Sequence, residues 1–425
     1  MKAEGVLDTT HTTTVGKATP SVRPRRPRMP SIAASATNQP CGPYASDMHC
    51  SYNGKCISRA CRCDAAWTGR NCETLNLHPA KRKLGVGYQR QEHGFVSSWG
   101  GSVIEADGTW YMAASEIANN CGMGQWTRGS QVVIATSSDP LNVPFVRRSL
   151  LAPAFAHEPT LMRGPAGELV AVYTHATTAT PPGGPTCSKC TNGSSSTACG
   201  HNINPYNVRL LGRAFPTLMR WTDAASNYTR WSDPIELFNA SAGRLRNNNT
   251  YCDNNLAGVI LPNGSFVGIW RECSLPRTWA TVHPVTSSLW SDPESYFWHD
   301  KRELWAHAGA YPSGVPDHPP PEDPMVWVGG DGVYHALFHD RSGDGKSHGG
   351  HAYSIDGFEW TYTGVAYDNV IEYDDGWKWA FSSRERPHLV MDRKGAPLAL
   401  TSGVRYSQEL TGDYSYTHLQ PVGRF

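Results

Sequence analysis

Hydrophobic and polar residues alternate along short stretches of the chain, and one two-strand pattern recurs five times after residue 80. Each unit is a short apolar strand, a turn with glycine and a second alternating strand, as in LAGVILPNGSFVGIWRE at 256–272. Alternation with a period of two predicts half-buried β-strands, and glycine with Asn, Asp or Pro marks the turn between them. The other units lie at 100–115, 158–175, 323–340 and 386–403. The pattern therefore predicts five β-hairpins and almost no helix.

The spacing of these hairpins decides between all-β architectures. The residues just before the first strands are Gly101, Pro159, Ala257, Pro324 and Pro387, which are separated by 58, 98, 67 and 63 positions. About 60 residues suit one four-stranded blade, and radial repetition of such blades forms a β-propeller. The long interval contains an insertion rich in Cys, Gly and Ser. We predict an all-β, five-bladed β-propeller over 80–425, with a sandwich or jelly roll as the alternative, because hairpins alone do not prove radial closure.

The first 80 residues have a different pattern. Residues 1–40 are rich in Thr, Ser, Pro and Arg and cannot build a core, so we predict a disordered basic tail. Six cysteines then fall within 41–72 with the spacing C-x8-C-x5-C-x4-C-x-C-x8-C. They indicate three disulfides, since so small a module cannot be held together by apolar burial alone. Zinc is the alternative, but a zinc site favours C-x2-C pairs, which this segment lacks.

The end of this segment, CRCDAAWTGRNC at 61–72, resembles the last part of an epidermal-growth-factor-like (EGF-like) module. The C-x-C pair, Trp67 and Gly69 carry the resemblance, and Ala66 departs from it where the family often has glycine. The resemblance implies a small disulfide-bonded domain before the propeller. Such a module could also bind a protein partner.

Composition and charge narrow the classes of function. The 425 residues include 38 Lys plus Arg and 37 Asp plus Glu, so the formal charge of +1 offers no broad basic surface for nucleic acid. There is no run of about 18 apolar residues, so no membrane span is predicted. Together with the cysteine pattern, five N-glycosylation sequons predict a secreted or extracellular protein. The sequons begin at Asn192, Asn227, Asn239, Asn248 and Asn263.

In a propeller the inner strand of every blade begins at the same end of the central channel, so the residues before these strands converge in space. Most of these residues are polar or ionisable. They are Trp99-Gly100-Gly101, His157-Glu158-Pro159, Asn254-Asn255-Leu256, Glu322-Asp323-Pro324 and Arg384-Glu385-Arg386-Pro387-His388. Close carboxylates beside arginine and histidine have displaced pKa values, which suits acid and base chemistry. We therefore predict a functional funnel at this end of the channel.

The blade entrances resemble those of the five-bladed propeller glycosidases, the superfamily of glycoside hydrolase family 43 that includes arabinanases and levansucrases. The resemblance covers roughly residues 85–425 and implies carboxylate-catalysed hydrolysis of glycosidic bonds. Glu158 before Pro159 corresponds to the carboxylate of the second blade. Glu322-Asp323-Pro324 is similar to the Glu-x-Pro general-acid motif, although it lies on the fourth repeat and not the third.

The first repeat departs from that family. Gly100-Gly101-Ser102 stands where Asp-Pro is usual, so Glu92 or a histidine would have to replace the base. Glycoside cleavage needs one protonated group at the leaving oxygen and one charged group that activates water or attacks carbon. We predict Glu158 and Asp323 as the catalytic pair, with Glu322 as the third member of the catalytic set.

Further residues near the entrances are predicted to bind the carbohydrate. They are Trp99, His157, Asn255, Arg271, His339, His351, Arg384, Glu385, Arg386 and His388. The two arginines that flank Glu385 can grip a sugar carboxylate or sulfate, or they can neutralise the glutamate itself. The chemistry requires no cofactor. The histidines between 339 and 351 offer ligands for a divalent cation in the propeller channel, although no metal-binding spacing supports one.

Two other function classes fit the same residues. A polysaccharide lyase would abstract a proton with a histidine such as His157, His351 or His388, and would hold a uronate with Arg384 and Arg386. A non-catalytic carbohydrate-binding propeller fits the missing carboxylate on the first blade. A hydrolase produces new reducing ends, a lyase produces an unsaturated product that absorbs ultraviolet light, and a lectin produces neither.

Overall fold

The computed structural model describes residues 41, 47–81, 88–89, 96–119, 121–175, 217–222, 226–237, 255–273, 280–299, 321–340, 348–406 and 415–423. The regular secondary structure of these residues is nearly all β-strand, with one helical turn, α1 (Trp126–Gly129), and 3-10 turns at Asp47–Cys50, Met123–Gln125 and Pro293–Ser295. The predicted tail over 1–40, Glu92 and the insertion at 181–200 lie outside the described residues. Within the described ranges, no helix is long and apolar enough to cross a membrane.

The N-terminal module consists of two small hairpins held by disulfides. Strand β1 (Gly54–Ile57) pairs with β2 (Ala60–Cys63), and β3 (Trp67–Thr68) pairs with β4 (Thr74–Leu75). The disulfides join the first cysteine to the third, the second to the fourth and the fifth to the sixth: Cys41–Cys56, Cys50–Cys61 and Cys63–Cys72. The three predicted disulfides are confirmed, and they use every cysteine of 41–72, which excludes zinc there.

Five further sheets form blades. Blade 1 contains β5 (Tyr88–Gln89), β6 (Ser98–Ala106), β7 (Thr109–Ile117), β8 (Ser130–Ser137) and β9 (Phe145–Ala152). Blade 2 contains β10 (Ala156–Arg163), β11 (Leu169–His175), β12 (Thr217–Trp221) and β13 (Ile235–Glu236). Blade 3 contains β14 (Leu256–Ile260), β15 (Phe266–Cys273), β16 (Ala280–Ser287) and β17 (Tyr296–Trp298).

Blade 4 contains β18 (Glu322–Val328), β19 (Tyr334–Asp340), β20 (His348–Ser354) and β21 (Thr361–Tyr367). A hairpin of β22 (Val370–Glu372) and β23 (Lys378–Ala380) follows. Blade 5 contains β24 (Ser383–Met391), β25 (Pro397–Arg405) and β26 (Ser415–Pro421). Successive strands within each blade form an antiparallel meander, as the alternating pattern and glycine turns predict, and β5 adds in parallel to β9 at the edge of blade 1.

The inner strands β6, β10, β14, β18 and β24 lie side by side around a channel, and β24 contacts β6 to close the ring. The chain that leaves the N-terminal module adds to the outer edge of blade 5. There Leu77 pairs with Val422, and the His78 N–H donates to the Pro421 carbonyl at 2.9 Å. Radial closure excludes the sandwich and the jelly roll, so the predicted five-bladed, all-β propeller is confirmed.

Trp67 anchors the module against blades 4 and 5. It is 6% exposed and belongs to a hydrophobic cluster that includes Leu337 and Leu389 of the propeller. Its ring stacks on Trp327 with 6.4 Å between centroids and lies 4.8 Å from the ring of His351. Because one core crosses the boundary, the module packs beside the propeller and shares its hydrophobic stabilisation.

Candidate functional site

Four inner strands carry the same β-bulge near their first residues. The register against the second strand shifts between Trp99 and Ser102, His157 and Thr160, Glu322 and Met325, and Glu385 and His388. In each bulge one residue has a left-handed backbone, with φ of 63° at Gly100, 55° at Glu158, 58° at Asp323 and 55° at Arg386. Such a backbone is uncommon for residues with a Cβ, and bulges re-aim side chains. Here the bulges bring side chains of different blades into contact.

The side chains at these positions form a hydrogen-bonded array across the channel. Asn255, which directly precedes β14, donates its amide to Glu158, and its Oδ1 accepts the Asp323 N–H at 3.2 Å. Asp323 Oδ2 accepts the backbone N–H of Arg386 at 3.2 Å. The Arg386 guanidinium lies 3.4 Å from Asp323 Oδ1 and 3.6 Å from Glu158 Oε2, and it donates to the Pro159 carbonyl at 3.2 Å. We call Glu158, Asn255, Asp323 and Arg386 the floor of the funnel.

The Arg386 side chain lies against Gly100, which occupies the equivalent bulge position on the first blade. A Cβ built on Gly100 would lie 3.0 Å from Arg386 Cβ and 3.3 Å from its Nε. A side chain at position 100 would therefore be crowded by Arg386, and the left-handed φ there adds a second cost for any residue with a Cβ. As a result, the floor carries two carboxylates and one guanidinium.

A second group of ionisable residues lies nearer the solvent, and we call Glu322, His339, Glu385 and Arg271 the wall. Glu322 Oε2 is 2.7 Å from the Arg271 guanidinium, and Glu322 Oε1 is 3.1 Å from His339 Nδ1. Burial acts to lower the pKa of His339, but the negative charges of Glu385, Glu322 and Asp323 raise it to about 9. His339 is therefore an imidazolium at neutral pH and donates its Nδ1 proton to Glu322.

Three described residues of the wall lie close enough together to ligate a cation. One ligand atom each of Glu322, His339 and Glu385 lies within 4.8 Å of the other two. Carboxylate and imidazole ligands suit divalent cations, but Arg271 occupies one oxygen of Glu322 and competes with a metal. Deeper in the channel, His388 lies close to the positive Arg386, which disfavours a cation there. The divalent cation stays a prediction.

Trp99 and His351, both predicted to bind substrate, lie in the packed interior. Trp99 is 3% exposed and packs against Ile117 on the second strand of blade 1. His351 is fully buried between Trp67 of the module and His335, whose Nδ1 lies 3.1 Å from His351 Nε2. Burial and the neighbouring His335 hold the pKa of His351 well below its ordinary value. Both rings are therefore held in packed clusters and are not exposed at the funnel.

Arg384 and His388 also lie away from the funnel, because the bulge at Arg386 interrupts the alternation of β24. Arg384 donates to Gln420 Oε1 at 2.8 Å and lies over the ring of Tyr367, 4.8 Å from its centroid. Burial lowers the pKa of Arg384 to about 10. His388 lines a cavity of about 530 Å³ formed by later residues of the inner strands. Burial and the charge of Arg386 lower the pKa of His388 to about 3.

The other predicted site residues lie at the funnel. They are Glu158, Asp323, Glu322, His157, Asn255, Arg271, His339, Glu385 and Arg386. Two serines that the sequence analysis did not select also belong here. Ser115 Oγ accepts the Glu158 N–H at 2.9 Å, and Ser130 Oγ lies 2.6 Å from His157 Nδ1. They lie on β7 and β8, and nothing in the local pattern marks them.

No family model and no curated protein matches the sequence. Solved structures do resemble the fold. A family 117 glycoside hydrolase of the marine bacterium Zobellia galactanivorans is 10% identical, with a TM-score of 0.50 over 85% of this chain and 92% of that one. The catalytic domain of a GH62 α-L-arabinofuranosidase of Coprinopsis cinerea is 11% identical, with a TM-score of 0.50 over 82% and 97% of the two chains. The chain therefore has the five-bladed propeller fold that these two structures share.

Proposed function

We propose that the chain hydrolyses glycosidic bonds of a poly- or oligosaccharide at the funnel. The observation that carries the proposal is the convergence of four carboxylates with one imidazolium at a single end of the channel. Those carboxylates are Glu158, Asp323, Glu322 and Glu385. Hydrolysis of a glycoside needs such a combination of charged and protonated groups. The glycosidase activities named for the two similar structures support the same conclusion.

The floor and the wall suit different roles in this reaction. Asp323 and Glu158 both contact the Arg386 guanidinium, which stabilises their charged forms. They are fitted to supply the negative partner that attacks carbon, activates water or stabilises a developing positive charge. On the wall, the protonated His339 is fitted to deliver the proton to the leaving oxygen, and Glu322 holds its Nδ1–H. This assignment keeps Glu158 and Asp323 in the predicted catalytic roles, gives Glu322 the role of holding His339, and adds His339 as the proton donor.

The test is a screen of the purified full-length chain against plant, algal and animal polysaccharides, with new reducing ends as the signal. On a substrate that the parent cleaves, Asp323→Asn and Glu158→Gln should each lower turnover roughly 10²–10⁴-fold, the usual scale for acid–base groups. Binding should survive, because the amides keep the shape of the acids. Glu359→Gln, an exposed change in a turn of blade 4, is the control. Full activity in both Asp323→Asn and Glu158→Gln would show that other residues carry out the reaction.

A carbohydrate-binding propeller without catalysis is the second candidate. Gly100 at the bulge position of the first blade favours it, because the expected base is then missing. A lyase has less support, since His351, His388 and Arg384 lie away from the funnel. The same screen separates the three: reducing ends alone indicate a hydrolase, ultraviolet-absorbing products a lyase, and retention on a polysaccharide without products a lectin.

We also infer that the chain passes through a secretory, oxidising compartment. Three disulfides in the module support this inference. The sequon asparagines Asn227 and Asn263 are exposed, while the other three lie outside the described residues. A mass shift on treatment with an N-glycosidase would test it. The EGF-like character of the disulfide-bonded module and a protein partner for it stay predictions.

A further inference from the structure

His157 lies between a serine and the floor carboxylate Glu158. Its Nδ1 is 2.6 Å from Ser130 Oγ, and its Nε2 is 3.6 Å from Glu158 Oε1. Trp126 covers the imidazole, with 4.8 Å between the ring centroids and 26° between the ring planes. Ser130 is 0% exposed and His157 is 1% exposed. His157 is thereby placed to act on a bound sugar through Glu158.

The two oxygens of Glu158 have different neighbours. Oε2 receives the amide of Asn255 and lies 3.6 Å from the Arg386 guanidinium. Oε1 faces His157, which can present either an N–H or a lone pair, depending on its tautomer. The tautomer of one buried ring therefore sets the field at one oxygen of the carboxylate. Arg386 is shared with Asp323, so its charge is divided between two acids.

We propose that His157 is a positioning residue for Glu158 and that Ser130 selects its tautomer. When the Ser130 hydroxyl donates to Nδ1, the proton of the neutral ring sits on Nε2 and points toward Glu158 Oε1. That N–H stabilises the negative charge of the carboxylate, whereas the other tautomer would direct a lone pair at it. The inference rests on the proposed hydrolase function only for its consequence in catalysis.

The direct test is a carboxyl-carbon NMR titration of the full chain with isotope-labelled glutamate, in which Glu158→Gln identifies the resonance. Ser130→Ala removes the donor to Nδ1, and His157→Phe removes both nitrogens while keeping a ring against Trp126. In both variants we expect the Glu158 titration midpoint to move to higher pH by roughly half a unit or more. His157→Gln should stay closer to the parent, since its amide N–H can replace Nε2–H.

Activity supplies a second readout. The acidic limb of the pH profile of kcat/KM should shift in the same direction in Ser130→Ala and His157→Phe, with KM little changed. Ser137→Ala removes a buried hydroxyl from the same strand away from the funnel and should alter neither readout. Parental midpoints in both Ser130→Ala and His157→Phe would overturn the positioning role. If both variants shift the Glu158 midpoint but the parent chain cleaves no carbohydrate in the screen, the positioning role is supported and the hydrolase function is refuted.

Discussion

Replacement of Arg386 by methionine should destabilise the protein far more than the same replacement of Arg393. Both arginines join carboxylates across blades. The Arg386 side chain is 2% exposed and bridges Glu158 and Asp323, whereas the Arg393 side chain is 72% exposed and binds Glu105. The residue type and the kind of partner are the same at both sites, which differ in burial and in the number of carboxylates bound.

The loss in the free energy of unfolding depends on which carboxylates each substitution leaves unpaired. Without Arg386, the carboxylates of Glu158 and Asp323, whose side chains are 5% and 4% exposed, lose their shared cation. Leaving buried charge without a partner costs about 3–5 kcal/mol. Arg393 makes two hydrogen bonds to Glu105, at 2.9 and 2.8 Å. Water screens that pair, so its loss should change the free energy of unfolding little.

Urea denaturation followed by tryptophan fluorescence measures both variants against the parent. Adding Asp323→Asn and Glu158→Gln to Arg386→Met should recover much of the lost free energy, since no unpaired charge then remains on the floor. If Arg386→Met and Arg393→Met unfold at the same urea concentration, the floor is not the buried ion network described above.

Three further perturbations test the packing around the site. Trp67→Ala should lower the free energy of urea unfolding by about 3–5 kcal/mol, because it leaves a cavity in the core shared by module and propeller. Trp377 is 64% exposed, so Trp377→Ala should lower it little. Burial holds the pKa of His335 near 4, below its ordinary 6.5. The unfolded chain therefore binds more protons, and stability should fall as pH drops from about 6.5 toward 4, less so in His335→Gln. Gly100→Ala should lower the melting temperature more than Gly108→Ala, because both have positive φ but only position 100 would meet another side chain.

The sequence by itself determined the five hairpins, their spacing and the disulfide-bonded module. These features follow from local rules: alternation with a period of two, glycine at turns, and cysteines too dense for a hydrophobic core to replace. The repeat also predicted which chain positions converge, since equivalent residues of radial blades lie at one end of the channel. For that reason the sequence alone places Glu158, Asp323 and Glu322 at one end of the channel.

Only the tertiary structure decided which side chains enter the funnel. Arg384 and Arg386 are two positions apart on one strand, yet one packs between blades and the other crosses the floor, because a β-bulge interrupts the alternation between them. The sequence has a glycine, Gly100, on the first blade at the bulge position that Glu158, Asp323 and Arg386 occupy on other blades. Ring closure places an arginine of the last blade beside it, because β24 packs against β6 and a Cβ at Gly100 would lie only 3.0 Å from Arg386 Cβ.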